Sequence, residues 1–280
     1  MKTVVITGAS TGIGYDAARY LVEKGWRVLG SVRKEADAAR LQQAFGERFI
    51  PLRFDVTDPE GVSAAAAQTA EIVGDAGLAG LVNNAGIALP GPAMHIPMAD
   101  FRWQFEVNLF GQLDVTQKFL PLLGARKPCP HPPGRIINMS SVSGRVVFPF
   151  FSPYAGSKHG LEVLSAALRR ELVIYGIDVI IIGPGSIKTP IWDKADELDL
   201  APYEGTDYEE IIKNLQPILV RQGKNGLPVE QVSETIHRAL TAARPRTRYA
   251  IVRNPLTNWL LPRWLPDRWF DWIVRRQMGL

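Results

Sequence analysis

Near the N-terminus, three glycines punctuate the stretch Thr7-Gly8-Ala9-Ser10-Thr11-Gly12-Ile13-Gly14, and they constrain this chain more than any other feature. The apolar run Val4-Val5-Ile6 before them reads as a short buried strand, and Ala17, Ala18, Leu21 and Val22 after them recur at helical spacing. A strand that turns on glycine into a helix gathers the helix's first N–H groups at one point, where they face phosphate oxygens. Glycine at these places allows the tight turn, lets the backbone approach a pyrophosphate, and lets the helix pack on the strand. Gly8, Ser10, Thr11, Gly12, Ile13 and Gly14 are therefore expected to cradle the phosphates of a dinucleotide.

The rest of the chain continues that beginning. Strand-like runs fall near 3–7, 27–32, 49–54, 78–83, 134–140, 177–183 and 248–253, with helical patterns between them. This alternation predicts an α/β fold of Rossmann type, a doubly wound parallel seven-stranded sheet with helices on both faces. At 280 residues, 46% hydrophobic and 21% charged, the chain has room for one such domain and needs no second. The expected division is a single domain over 1–255 and a tail over 256–280, where the composition changes.

Tyr154 and Lys158, in Tyr154-Ala155-Gly156-Ser157-Lys158, stand at i and i+4 and so share one face of a helix. A free phenol has a pKa near ~10, and a neighbouring cation lowers it by stabilising the phenolate. A tyrosine so placed exchanges a proton with an alcohol or a ketone. Alone the pair says little, because any amphipathic helix can carry it. Beside a dinucleotide turn it points to hydride transfer.

With both features on the page, the chain resembles the classical short-chain dehydrogenase/reductase family from residue 3 to about residue 253, with hydroxysteroid and retinol dehydrogenases nearest in pattern. Asn83-Asn84-Ala85-Gly86 matches a family motif, which implies that Asn83, Ala85 and Gly86 close the adenine side of the site and support the sheet. Asn108, Ser141, Tyr154 and Lys158 match the catalytic tetrad. Ser141 is preferred to Ser140 because it lies thirteen residues before Tyr154, the family's interval. The resemblance further implies that Lys158 binds the nicotinamide ribose and that Asn108 holds a water linking Lys158 to solvent. In Pro184-Gly185-Ser186-Ile187-Lys188-Thr189, residues Pro184, Gly185, Ile187 and Thr189 match the segment that holds the nicotinamide carboxamide. Asp55, with Val56 beside it, matches the adenine-binding aspartate, and residues 190–226 match a lid over the substrate. Gly156 departs from the family's alanine or serine, at a small loss of helix propensity.

Cofactor choice turns on the end of the second strand, Val28-Leu29-Gly30-Ser31-Val32-Arg33. An acid here accepts from the ribose 2′-hydroxyl of NAD, whereas a cation suits the 2′-phosphate of NADP. Val32 stands where NAD-using members often carry aspartate, and Arg33 follows, so NADP (NADPH) is expected and NAD is the less favoured alternative. Val146-Val147-Phe148-Pro149-Phe150-Phe151, together with Leu89, Ile191 and Trp192, predicts a cleft for a bulky apolar ketone or secondary alcohol. Two rival readings are an NAD-dependent alcohol or retinol dehydrogenase of the same family and a non-catalytic NADP-binding sensor or scaffold. The Tyr154/Lys158 pair argues against the second.

The formal net charge is +4, but basic residues are scattered and no nucleic-acid-reading motif occurs, so nucleic acid is not an expected partner. One cysteine, Cys129, excludes an internal disulfide, and no metal site is expected. A first strand at Thr3 and the lack of any run approaching the ~20 apolar residues of a span predict a cytoplasmic protein. The family resemblance implies a homodimer or homotetramer. The tail holds Trp259, Trp264, Trp269 and Trp272 with Arg263, Arg268, Arg275 and Arg276. It is expected to pack and help close the apolar cleft, the alternative being contact with an anionic membrane surface.

Overall fold

The apolar runs that read as strands form one sheet, and its central strands are buried on both faces. The computed structural model describes residues 1–190, 192–193 and 201–278. Its strands are β1 (Thr3–Ile6), β2 (Arg27–Val32), β3 (Phe49–Arg53), β4 (Gly80–Asn83), β5 (Arg135–Met139), β6 (Asp178–Pro184) and β7 (Arg248–Ile251). They form one parallel sheet in the order β3-β2-β1-β4-β5-β6-β7. A parallel sheet buried on both faces tolerates no polar alternation, which is why its strands read as continuous apolar runs. Val4 and Ile6 face one core and Val5 the other.

Helices α1 (Gly12–Glu23), α2 (Glu35–Phe45) and α8 (Glu230–Thr241) cover one face, through Leu21, Leu41 and Ile236 among others. Helices α3 (Pro59–Val73), α5 (Gly111–Phe119) and α6 (Ser152–Glu171) cover the other, through Val62, Phe119 and Leu168. Asp58 starts α3 by accepting from the Glu60 N–H, with Pro59 in the first turn, where a missing N–H is harmless. Helix α4 (Met98–Phe105) runs into α5 through a wider π-type turn, Glu106–Phe110, that contains Asn108. At Gly156 a Cβ would sit 3.1 Å from the Phe105 ring, so the missing methyl lets α6 lie close against α4. From β1 the chain winds outward to β2 and β3, then returns to β4 on the other side. The crevice at the carboxyl ends of β1 and β4 is thus the switch point where such sheets bind ligands.

Helix α7 (Glu209–Lys224) lies within the interval 190–226. Trp192 is fixed against it: its indole N–H donates to the Ile187 carbonyl at 2.8 Å, and its ring fills the space left by the missing side chain of Gly223. Ile191 and most of the acidic stretch 193–199 lie outside the described residues.

The tail forms a π-type turn (Leu256–Leu260), a short α9 (Leu261–Trp264) and α10 (Asp267–Gln277). Of its four tryptophans only Trp259 is buried, between the guanidinium groups of Arg248 at 3.9 Å and Arg263 at 4.6 Å from the ring centre. Trp264, Trp269 and Trp272 are 81%, 66% and 61% exposed. The tail is thus packed in part, through Trp259 and through Phe270 against Phe148, and exposed in part. Helix α10 turns Phe270, Ile273 and Val274, all partly buried, to one side and leaves its tryptophan row to solvent.

Candidate active site

The glycine turn is stitched to the end of β4. Gly8 takes a left-handed backbone (φ 68°), and its N–H donates to Ser31 Oγ at 2.8 Å. Thr7 Oγ1 accepts from the N–H groups of Asn84 and Ala85, each at 2.9 Å, while Asn84 Nδ2 donates back to the carbonyls of Thr7 and Gly8. A Cβ at Gly14 would strike the Gly8 carbonyl, so α1 reaches this close only with glycine there. Thr11 stands at the N-cap of α1 in extended backbone without using its hydroxyl as a cap, and Ile13 is half-buried against the core. Gly12 faces the side chain of Thr189 across the crevice, at 3.7 Å from a Cβ placed on it. A glycine cradle, a helix N-terminus and a facing threonine fit a dinucleotide pyrophosphate.

Around that cradle several expected contacts change character. Asn83 is fully buried and donates to Thr116 Oγ1 (2.8 Å) and Asn138 Oδ1 (2.9 Å), so its side chain ties the sheet together and cannot reach a cofactor. Val56 is likewise buried in the core. Asp55 Oδ1 accepts from the Thr57 N–H and hydroxyl, and Oδ2 lies 3.4 Å from Arg33. Burial opposes ionisation of Asp55, but the Thr57 bonds and the Arg33 charge hold its pKa below the usual value. Arg33, with its side chain 73% exposed, is thus engaged by an acid rather than standing alone. Arg40 escaped the sequence reading. Its guanidinium donates to the Ser10 carbonyl at 2.8 Å and packs over Tyr15, thirty residues away from the turn it supports.

At the other end of the crevice, β5 delivers two serines with different fates. Ser140 Oγ donates to Glu162 Oε1 at 2.9 Å. Ser141 instead interacts with the Tyr154 hydroxyl, accepts from the Ser143 N–H and donates to the Pro184 carbonyl at 3.4 Å. Lys158, one turn beyond Tyr154, is buried, with Nζ 5.9 Å from the tyrosine ring centre and donating to the Met139 carbonyl at 2.8 Å. Removal from water brings the Lys158 pKa down to about 8. Burial raises the Tyr154 pKa, and the Ser141 hydrogen bond offsets that only in part. The expected lowering of the tyrosine pKa is therefore not found.

Gly86 closes this pocket, since a Cβ there would lie 3.1 Å from Asn108 Oδ1 and 3.6 Å from Lys158 Nζ. Asn108 is fully buried. Its amide accepts from the Ile87 N–H (2.9 Å) and donates to the Ile87 carbonyl (2.9 Å) and Ser157 Oγ (3.1 Å). An amide so engaged pins the segment after Gly86 onto α6. The Gly185 N–H donates to the Ile251 carbonyl at 2.9 Å, and buried Ile187 bridges to Leu227.

The Glu162 carboxylate lies one turn past Lys158, only 2% exposed, and was not singled out from the sequence. It takes Arg248 at 2.8 Å, Arg145 at 2.8 Å and Ser140. Burial opposes its charge, yet the two arginines keep its pKa below the ordinary carboxylate value. Arg248 also donates to the Ser141 carbonyl at 3.2 Å. On the Tyr154 side, the Phe150 carbonyl accepts from the Gly91 N–H at 2.7 Å, its ring meets Tyr208, and Phe148 meets Phe270 of the tail. Leu89 is fixed by its N–H bond to Gln104 Oε1.

Residues 2–199 match the family model for short chain dehydrogenase. The chain belongs to the short-chain dehydrogenase family. It is 41% identical over 278 residues to the NADPH-dependent 3-dehydrocapnine reductase of Ornithobacterium rhinotracheale, covering 99% of this chain and 98% of that protein. It is 36% identical to human (Homo sapiens) retinol dehydrogenase 16 and 35% identical to 17-beta-hydroxysteroid dehydrogenase type 6 of Bos taurus, over 97% and 98% of this chain and 88% of each relative. Among solved structures, a short-chain dehydrogenase from Streptomyces avermitilis superposes with a TM-score of 0.77 at 26% identity, over 99% of this chain and 94% of that one. As a short-chain dehydrogenase, the protein is an oxidoreductase of CH–OH and C=O groups that uses a nicotinamide cofactor.

Proposed function

We propose that the protein reduces a bulky apolar ketone to its secondary alcohol with NADPH. The observation that carries this reading is the meeting of the Tyr154 hydroxyl, Ser141 and buried Lys158 beneath Gly86, at one end of a crevice whose other end is a phosphate cradle. The carbonyl carbon takes up a hydride supplied by the bound cofactor. Ser141 hydrogen-bonds the carbonyl oxygen and orients it. Tyr154 donates its proton as charge grows on that oxygen, and a raised pKa keeps the phenol in the protonated form that this step needs. Lys158 would hold the cofactor's ribose hydroxyls and places positive charge near the forming tyrosinate. Thr189 and the backbone of Gly185 to Ile187 would hold the carboxamide, and Gly8 to Gly14 the pyrophosphate.

The whole-length likeness to a reductase named for 3-dehydrocapnine makes that ketone the first candidate, and the phenylalanines at 148, 150 and 151 support an apolar substrate. Retinoid and steroid carbonyls follow, from the relatives named for them. The test is a panel of these ketones with NADPH and NADH, followed by loss of nicotinamide absorbance. Turnover of at least one bulky ketone with NADPH is expected; tight NADPH binding with no turnover across the panel would leave a non-catalytic binding protein instead.

Arg33 is proposed to select NADPH by exchanging its Asp55 partner for the 2′-phosphate. A charge-assisted hydrogen bond of this kind contributes about 1.5–3 kcal/mol. Arg33→Ala should accordingly weaken NADPH by roughly ten- to a hundred-fold in a binding titration and leave NADH nearly unchanged. Equal losses for both cofactors would assign Arg33 to the Asp55 pair alone and favour the NAD-linked reading.

A further inference from the structure

We propose that the exposed face of α9 and α10 docks on an anionic lipid bilayer, with the bilayer surface placed beside the substrate cleft. Trp264, Trp269 and Trp272 are the three most exposed aromatic side chains of the described residues, and all stand in one short stretch. On α10, successive residues turn by about 100°, which places Trp269, Trp272 and Arg276 in one row with Arg268 and Arg275 at its edge. Arg276 lies over the Trp272 ring at 5.7 Å. The helix's two acids, Asp267 and Asp271, are one turn apart on the side away from Trp269. Acid is thereby segregated from the aromatic row, whereas arginine is mixed into it.

Charge distinguishes a lipid surface from a second copy of this chain. Residues 256–280 hold four arginines and two aspartates, so +2 of the chain's formal +4 belongs to this tail. Two copies meeting through such a face would bring like charges together, which is unfavourable. Tryptophan rings settle at the headgroup level of a bilayer, and arginines beside them meet anionic headgroups. No helix among the described residues is long and apolar enough to cross a membrane, so the contact is peripheral. The tail also touches the cleft rim, because Phe270 packs edge-on against Phe148, and Val147 beside it is 51% exposed. A lipophilic ketone dissolved in the bilayer would meet the enzyme at that rim.

The experiment is sedimentation of the full chain with phosphatidylcholine vesicles, with and without phosphatidylglycerol, in the absence of any substrate, so that its outcome is independent of the proposed reaction. Binding to the anionic vesicles, a blue shift of tryptophan emission, and release by salt are expected. Each engaged arginine contributes roughly fivefold, so Arg275→Gln with Arg276→Gln should lower the partition roughly twenty-fold. Trp264→Ser, Trp269→Ser and Trp272→Ser together should remove the emission shift while cofactor affinity, measured in parallel, stays unchanged. Failure of the wild-type chain to sediment with anionic vesicles, or equal binding to neutral ones, would overturn the proposal. So would light scattering in which the wild type is an oligomer and the triple tryptophan variant a monomer, which would assign the face to self-association.

Discussion

Tyr154→Phe should lower turnover at least ~100-fold while NADPH still binds, the lower end of what a positioned acid contributes. Phenylalanine keeps the ring that Lys158 lies against and removes only the hydroxyl beside Ser141. Glu162, the nearest carboxylate on α6, is enclosed by Ser140, Arg145 and Arg248 and has no capacity left for a substrate proton. Steady-state kinetics beside a cofactor titration separate the two effects. Near-normal turnover by the variant would remove Tyr154 from the chemistry; lost cofactor binding would mean that the site had collapsed.

Glu162→Ala should destabilise the fold by about 3 kcal/mol, the low end for breaking a buried ion pair, because Arg145 and the edge of Arg248 keep contact with water. The alanine would leave the Arg248 guanidinium held between Trp259 and a carboxylate that is gone. Chemical unfolding measures the loss directly. The pH dependence gives a second reading. The Glu162 pKa is lower in the folded protein than in the unfolded chain, so its stabilisation is complete above the ordinary carboxylate value and is lost as pH falls through the folded one. The wild type should show that acid-labile component and the variant should lack it. An unchanged unfolding midpoint in Glu162→Ala would show that the cluster adds little.

The positions of the seven strands along the chain were legible because a sheet covered on both faces demands unbroken apolar runs, as in Val4-Val5-Ile6 or Val179 to Ile182. The interval to Tyr154 separated Ser141 from Ser140, and in the fold the Ser140 hydroxyl is taken up by Glu162. Other parts depend on residues that meet only after folding. Glu162 and Arg248 are 86 positions apart, and Arg40 reaches a carbonyl 30 positions back, so no local pattern announces either contact. Motif matching identified Asn83, Asn108 and Asp55 but could not say whether their side chains face a ligand or the protein. In the tail, spacing defined an amphipathic helix correctly. Which side of it the domain covers is a tertiary fact, decided by Phe270 finding Phe148.

Trp259 gives the tail a natural point of division. Its ring is the floor on which Arg248 rests, and Arg248 in turn reaches the backbone of Ser141. A chain shortened before Trp259 would lose the support beneath the Arg248 bond to the Ser141 carbonyl, whereas one ended just after Arg263 would keep that support and lose the outer helix with its Phe270 contact to Phe148.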